Sequence, residues 1–141
     1  MNGIFKFVFA AFLFMQLLGC KNYKQLQLEE QIGFELGHTE LLNDESGMDE
    51  MTGDRFFISI YKLPAGNISK IKGDTSFKKL ANPSYFSGTK LEKYLTNDAH
   101  YLYKVKKNSD EVQYTIVNPD ESYVILAEST NPDDVVFFKN P

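Results

Sequence analysis

Hydrophobic and polar residues alternate along much of the chain, which is the pattern of strands with one buried face. The clearest case is the strand predicted from Arg55 to Leu63, which Pro64 ends. Phe56, Ile58 and Ile60 point to one face of this strand, and Phe57 and Tyr61 point to the other. A weaker alternation of Ile32, Phe34 and Leu36 predicts an earlier strand between Gln31 and Leu42.

The C-terminal third keeps this period of two from His100 onward. Strands are predicted from Tyr101 to Lys106, from Glu111 to Val117 and from Ser122 to Glu128. Between them lie two turn sequences, and the second, Asn118-Pro119-Asp120-Glu121, has the proline position of a type I turn. The pattern predicts a three-stranded antiparallel meander. Val135 to Lys139 is predicted as a further strand, either at an edge or beside Arg55 to Leu63.

Two short helices are predicted between the strands. The first runs from Asn67 to Lys72, with Asn67 as its cap and Ile68 and Ile71 on one face. The second has capping-box spacing at Thr89-x-x-Glu92 and ends near Asn97. The predicted fold class is therefore α+β: an antiparallel sheet of four to five strands with a C-terminal meander and one or two short helices.

Residues 1–19 have the layout of an export signal. Lys6 is the only charged side chain, and it precedes the apolar run from Phe7 to Leu18. A spanning helix needs about 20 apolar residues, so this run is too short to cross a bilayer. We expect the segment to be removed.

The residues that follow this run, Leu17-Leu18-Gly19-Cys20, resemble the lipobox of bacterial lipoprotein precursors. The resemblance implies cleavage before Cys20, a diacylglyceryl thioether on its sulfur and a third acyl chain, such as palmitate, on the new N-terminus. Two or three chains make a durable anchor. The expected location is a bacterial membrane, with the protein facing the periplasm or the cell exterior. The alternatives are an ordinary secretory signal with a coincidental cysteine, and an uncleaved anchor.

The expected division is a signal peptide over 1–19, a tether over 20–30 and a single α+β domain over 31–141. The mature part has 122 residues, enough for one domain with its own core. Cys20 is the only cysteine, so no disulfide forms within the chain. Without Lys6, the mature part has 14 basic and 19 acidic side chains, which gives a net charge of −5. That balance argues against nucleic acid as a partner.

The segment from Asn43 to Asp54 is predicted to be a long exposed loop. It holds five carboxylates, at Asp44, Glu45, Asp49, Glu50 and Asp54. No register of these residues satisfies the ligand spacing of an EF-hand. The loop is interpreted either as a solvated surface or as a docking surface, from Asp44 to Asp54, for a basic protein partner.

Candidate chemistry is sparse. The two histidines, His38 and His100, are interpreted as surface residues at strand ends, and no catalytic, cofactor or metal residue is predicted. The main hypothesis is a non-enzymatic, lipid-anchored envelope module that binds a protein, as an accessory, inhibitor or immunity-type factor. One alternative is a small envelope hydrolase whose site joins His38, Glu40 and residues of the acidic loop.

The other alternative is a glycan or small-ligand binder that uses tyrosines in or beside the sheet. These are Tyr61, Tyr85, Tyr94, Tyr101, Tyr103, Tyr114 and Tyr123. Packing at the rim of the core is the preferred interpretation of these residues. The order of features, with Thr52-Gly53-Asp54 before an aromatic strand and then the hairpin Val112 to Glu128, is similar to that of a group of small uncharacterised bacterial proteins. This resemblance implies architecture only.

Overall fold

A single antiparallel sheet forms the centre of the protein. The computed structural model describes residues 23–48, 50, 52–81, 86–96 and 98–131. Six strands of this part pair in the order β1-β2-β6-β5-β4-β3. They are β1 (Glu40–Met48), β2 (Arg55–Lys62), β3 (Lys78–Lys79), β4 (Leu102–Lys107), β5 (Val112–Asn118) and β6 (Tyr123–Ser129). The α+β class and the meander β4-β5-β6 are confirmed, but the sheet has six strands instead of the four or five predicted.

Strand β2 lies inside the sheet, between β1 and β6. Ile58 pairs with Glu45 of β1 on one side and with Ala127 of β6 on the other. Both sides of β2 are therefore occupied by described strands, whereas the further strand predicted from Val135 to Lys139 is not tested. Residues 135–139 themselves lie outside the described part.

Two helices cover one face of the sheet, α1 (Tyr23–Ile32) and α2 (Ala65–Gly73). Their apolar side chains meet those of the central strands in a buried cluster. It comprises Leu28, Ile32, Leu36, Tyr61, Leu63, Ile68, Ile71, Phe77, Val117, Val124 and Leu126. This cluster forms one half of the core.

The opposite face is covered by a 3-10 helix, Glu92–Tyr94, and the residues around it. The second buried cluster comprises Phe56, Ile58, Ile60, Phe86, Leu91, Tyr101, Ile116, Ile125 and Ala127. Because both faces of the sheet are packed, the sheet is the middle of three layers. This explains why β2 is apolar at residues of both faces.

The N-terminal part of the domain differs from the sequence prediction. Helix α1 lies where a tether was predicted over 20–30, and its Leu28 is fully buried, so that prediction is wrong from Tyr23 onward. Leu28 and Ile32 are four residues apart and share one helical face. The strand predicted from Gln31 to Leu42 is also wrong, because Ile32 ends α1 and Gly33, at a φ of 87°, turns the chain away.

The first strand lies instead in the segment predicted to be a loop. Residues Glu40–Met48 form β1, and eight of them pair with β2. The strand is held by main-chain hydrogen bonds at the edge of the sheet, where polar side chains stay exposed. Such a strand has no apolar alternation to reveal it.

The two predicted helices are present with different ends. Helix α2 starts at Ala65, and Asn67 does not cap it: its Nδ2 donates to the Leu36 carbonyl at 3.1 Å. The second is only one turn, and its N-cap is Leu91, without a side-chain cap hydrogen bond, so the predicted capping box at Thr89 is not formed. Thr89 and Glu92 accept other backbone N–H groups. The Leu91 N–H donates to Thr89 Oγ1 at 3.2 Å and the Gly88 N–H to Glu92 Oε2 at 2.7 Å. Neither α1 nor α2 is long and apolar enough to span a membrane, and this holds for every helix in the described ranges.

Candidate functional site

Strand β1 is one edge of the sheet. Within the described residues it pairs with β2 alone, so its other side is open along nine residues. The register shifts between Leu41 and Asn43. Three large apolar side chains are exposed on this strand: Leu41 at 42%, Leu42 at 50% and Met48 at 59%. A long edge with exposed apolar side chains is a template for another chain.

Two acidic residues of β1 point in opposite directions, because neighbouring residues of a strand face opposite sides of the sheet. Asp44 points toward α1, where it pairs with the Lys24 ammonium and accepts a hydrogen bond from Ser59 Oγ at 2.9 Å. The bond from Lys24 lowers the pKa of Asp44, against a smaller opposing effect of burial. Asp44 therefore fastens α1 to the edge of the sheet.

Glu45 fastens the layer on the other face. It accepts hydrogen bonds from Lys93 Nζ and from the Tyr94 hydroxyl, both at 2.6 Å. Both bonds lower the pKa of Glu45, and the bond from Lys93 has the larger effect. Asn43 Nδ2 also donates to the Tyr94 hydroxyl, at 2.7 Å. The edge strand is thus tied to the 3-10 helix by a polar network.

The first half of the predicted acidic loop, Asn43 to Met48, is therefore strand, and its carboxylates Asp44 and Glu45 are engaged. Asp54 accepts a hydrogen bond from Asn131 Nδ2 at 2.9 Å, Glu50 is exposed, and Asp49 lies outside the described residues. The search of the described residues found no group of three or more histidine, cysteine, aspartate or glutamate side chains that could hold a metal ion.

His38 and Glu40 lie together, as the hydrolase alternative required, but without the acidic residues. They line a shallow pocket of about 320 Å³ with Lys62, Leu63 and Pro64. Asp44 is instead turned toward α1 and Glu45 toward the 3-10 helix. The structure does not bring Asp44 or Glu45 to His38. Asp49, another residue of the predicted acidic loop, lies outside the described residues.

His100 lies in a larger cleft of about 780 Å³, which the sequence did not predict. The walls come from the end of α2, the residues after β3, the segment before β4 and the turn between β5 and β6. No local motif could have revealed this cleft, because the four segments are distant in sequence.

Three tyrosines in or beside the second core cluster, Tyr94, Tyr101 and Tyr123, form hydrogen bonds through their hydroxyls within the protein. The Tyr101 hydroxyl accepts from the Thr96 N–H at 2.9 Å and lies 3.3 Å from that of Tyr123. Tyr123 also donates to the Tyr94 carbonyl at 3.0 Å. Burial raises the pKa of Tyr123. The packing interpretation is confirmed for these residues, while Tyr85 lies outside the described part.

One carboxylate lies in the layer between α1 and the sheet. Glu128 accepts a hydrogen bond from Gln113 Nε2 at 2.7 Å, and the Gln113 carbonyl accepts one from Gln31 Nε2 of α1 at 3.3 Å. Burial raises the pKa of Glu128, and the nearby Glu111 raises it further. Because the charged form of Glu128 is disfavoured in the folded protein, its ionisation makes stability depend on pH.

Comparison with known proteins adds no family to this description. Neither the family models, nor the curated proteins, nor the solved structures gave a match to the chain. The resemblance to small uncharacterised bacterial proteins stays a prediction.

Proposed function

We propose that the chain is a bacterial lipoprotein precursor, cleaved before Cys20 and anchored by lipid on that cysteine. The lipobox-like sequence supports this proposal, and so does the start of the folded domain. Helix α1 begins at Tyr23, three residues after Cys20, a span of at most about 10 Å. The ion pair between Lys24 and Asp44 places this end of α1 beside β1. The edge strand would then be the part of the sheet nearest the membrane.

The anchor is tested by replacing the cysteine in the full chain. Cys20→Ser should abolish labelling by radioactive palmitate and move the protein from the detergent phase to the aqueous phase. Lys21→Ser is the matched control and should be labelled normally. A Cys20→Ser protein that is still cleaved, labelled and retained in detergent would overturn the proposal.

For the mature domain we infer a non-enzymatic function, the binding of another envelope protein along β1. The open side of this nine-residue edge strand carries the inference. An extended segment of a partner can add to such an edge through main-chain hydrogen bonds. Leu41, Leu42 and Met48 supply exposed apolar contacts on the same strand.

The charge of this edge favours a particular partner. Strand β1 has three acidic residues, Glu40, Asp44 and Glu45, and no basic one. Asp44 and Glu45 are paired with Lys24 and Lys93, so Glu40 is the acidic residue that these ion pairs do not neutralise. Like charges would oppose pairing of two β1 strands with each other, and the irregular register at Leu41 does the same. An extended segment with lysine or arginine between apolar residues would complement the strand.

Site-specific photo-cross-linking in the native cell envelope tests this function. A photoreactive residue at Leu42 should capture a partner, whereas one at Val105 of β4, which is similarly exposed at 42%, should not. When the photoreactive residue replaces Met48, the substitution Leu42→Asp should reduce the amount of cross-linked partner, and Val105→Asp should leave that amount unchanged. If Leu42 and Met48 yield no more product than Val105, the edge strand is not the binding surface.

A further inference from the structure

Half-buried apolar side chains and one buried tyrosine line the cleft that contains His100. They are Leu80, Ala99, Leu102, Pro119 and Tyr101. Its volume of about 780 Å³ falls in the range of small-ligand sites, roughly 300–1,000 Å³. The cleft is large enough for a ligand of a few residues.

The rim of the cleft carries exposed charges of both signs. The basic side chains are Lys72 and Lys79, and the acidic ones are Asp98 and Asp120. Within the described residues, no ion pair joins two of these four side chains. Opposite charges that do not neutralise each other remain available to a ligand.

We propose that this cleft binds a short zwitterionic peptide with an apolar side chain. The ammonium groups of Lys72 and Lys79 would pair with its terminal carboxylate, and the carboxylates of Asp98 and Asp120 with its terminal ammonium. The apolar side chain would lie against half-buried apolar residues that line the cleft, such as Leu80 and Ala99. A purely anionic ligand would face the two aspartates, and a purely cationic one the two lysines, so a ligand with both charges fits best.

The cleft is also well placed for a ligand that arrives from solution. It lies beside β3 and β4, at the edge of the sheet opposite β1. Helix α1 crosses the sheet between the two edges, since Lys24 contacts Asp44 of β1 and Glu30 contacts Lys106 of β4 at 3.3 Å. This site is independent of the anchor and of the surface proposed on β1.

Isothermal titration of the purified full chain in detergent tests the proposal with three probes. These are the tripeptide Ala-Leu-Ala with free termini, its N-acetyl form and its C-terminal amide. The double variant K72Q/K79Q should weaken binding of the free and N-acetyl peptides by roughly three- to tenfold, and leave the amide unchanged. The double variant D98N/D120N should weaken the free and amidated peptides and leave the N-acetyl form unchanged.

Lys70→Gln, on the same helix as Lys72 but outside the cleft, is the control and should bind all three probes like the wild type. All changed residues are exposed, so the far-ultraviolet circular dichroism spectra should stay the same. Two results would overturn the proposal: no heat of binding for the free tripeptide at millimolar concentration, or an equal loss for all three probes in either double variant.

Discussion

The hydroxyl of Tyr94 donates a hydrogen bond of 2.6 Å to Glu45, and this contact joins the edge strand β1 to the layer that covers the sheet. Removing the hydroxyl by Tyr94→Phe should lower the free energy of unfolding by about 1 kcal/mol, because the bond to a charged acceptor is lost but the ring still packs. Urea unfolding at pH 7, followed by circular dichroism, measures the change.

Tyr103→Phe is the matched control for this prediction. Tyr103 packs against the same core cluster, and no hydrogen bond joins its hydroxyl to another described residue. Its replacement should change the free energy of unfolding by less than about 0.5 kcal/mol. Equal losses in the two variants would show that the bond between Tyr94 and Glu45 contributes little.

How much of the fold the sequence predicts depends on how each element is buried. The meander is readable because β5 and β6 are rich in apolar and β-branched residues and Asn118-Pro119 marks the turn between them. Asn118 Oδ1 accepts the N–H groups of Asp120 and Glu121, both at 3.0 Å, so the turn is encoded locally. Local patterns of this kind are visible in one sequence.

Elements held by distant contacts were not readable. Strand β1 is largely polar and is formed by pairing with β2. In the sequence alone, Asp44 and Glu45 suggest a charged loop, because their partners Lys24 and Tyr94 are distant in sequence. The cleft depends on four separate segments for its walls. Cys20 was interpreted from neighbouring residues, which is why the lipidation prediction needed no knowledge of the fold.

Because the pKa of Glu128 is raised, the free energy of unfolding should depend on pH. A carboxyl group whose pKa is higher in the folded state favours folding while it is protonated, so stability falls as the pH rises from the usual value of 4.5 through the raised pKa. Glu128→Gln removes this charge, and its side-chain oxygen can still accept from Gln113. The variant should therefore be more stable than the wild type at pH 7 and nearly equal to it at pH 4.

The urea midpoints of the two proteins, measured at several values between pH 4 and pH 7, give the comparison. Asp44 and Glu45 act in the opposite direction, since their lowered pKa values make the stability that they contribute disappear as the pH falls. That loss is common to both proteins and cancels in the difference. A difference between the proteins that does not change with pH would contradict the role assigned to Glu128.

Gly47 is predicted to be needed where β1 passes over the ring of Phe56. A Cβ at Gly47 would lie 2.5 Å from Cε1 of Phe56, so Gly47→Ala should lower the free energy of unfolding by about 1–3 kcal/mol. Gly66→Ala is the control, because nothing lies within 4 Å of its Cβ and α2 favours alanine. Gly66→Ala should raise the thermal unfolding midpoint, whereas Gly47→Ala should lower it. A stable Gly47→Ala protein would mean that the Phe56 ring moves aside.

Helix α1 belongs to the folded domain, and its two leucines predict opposite results on substitution. Leu28 is fully buried in the first core cluster, whereas Leu26, two residues earlier, is 47% exposed. Leu28→Ala should lower the free energy of unfolding by about 2–5 kcal/mol, since it removes buried methyl groups and leaves a cavity. Leu26→Ala should change it by less than about 0.5 kcal/mol. Chemical denaturation of both variants measures the contrast. If both are as stable as the wild type, residues 23–30 belong to the tether that the sequence predicts over 20–30.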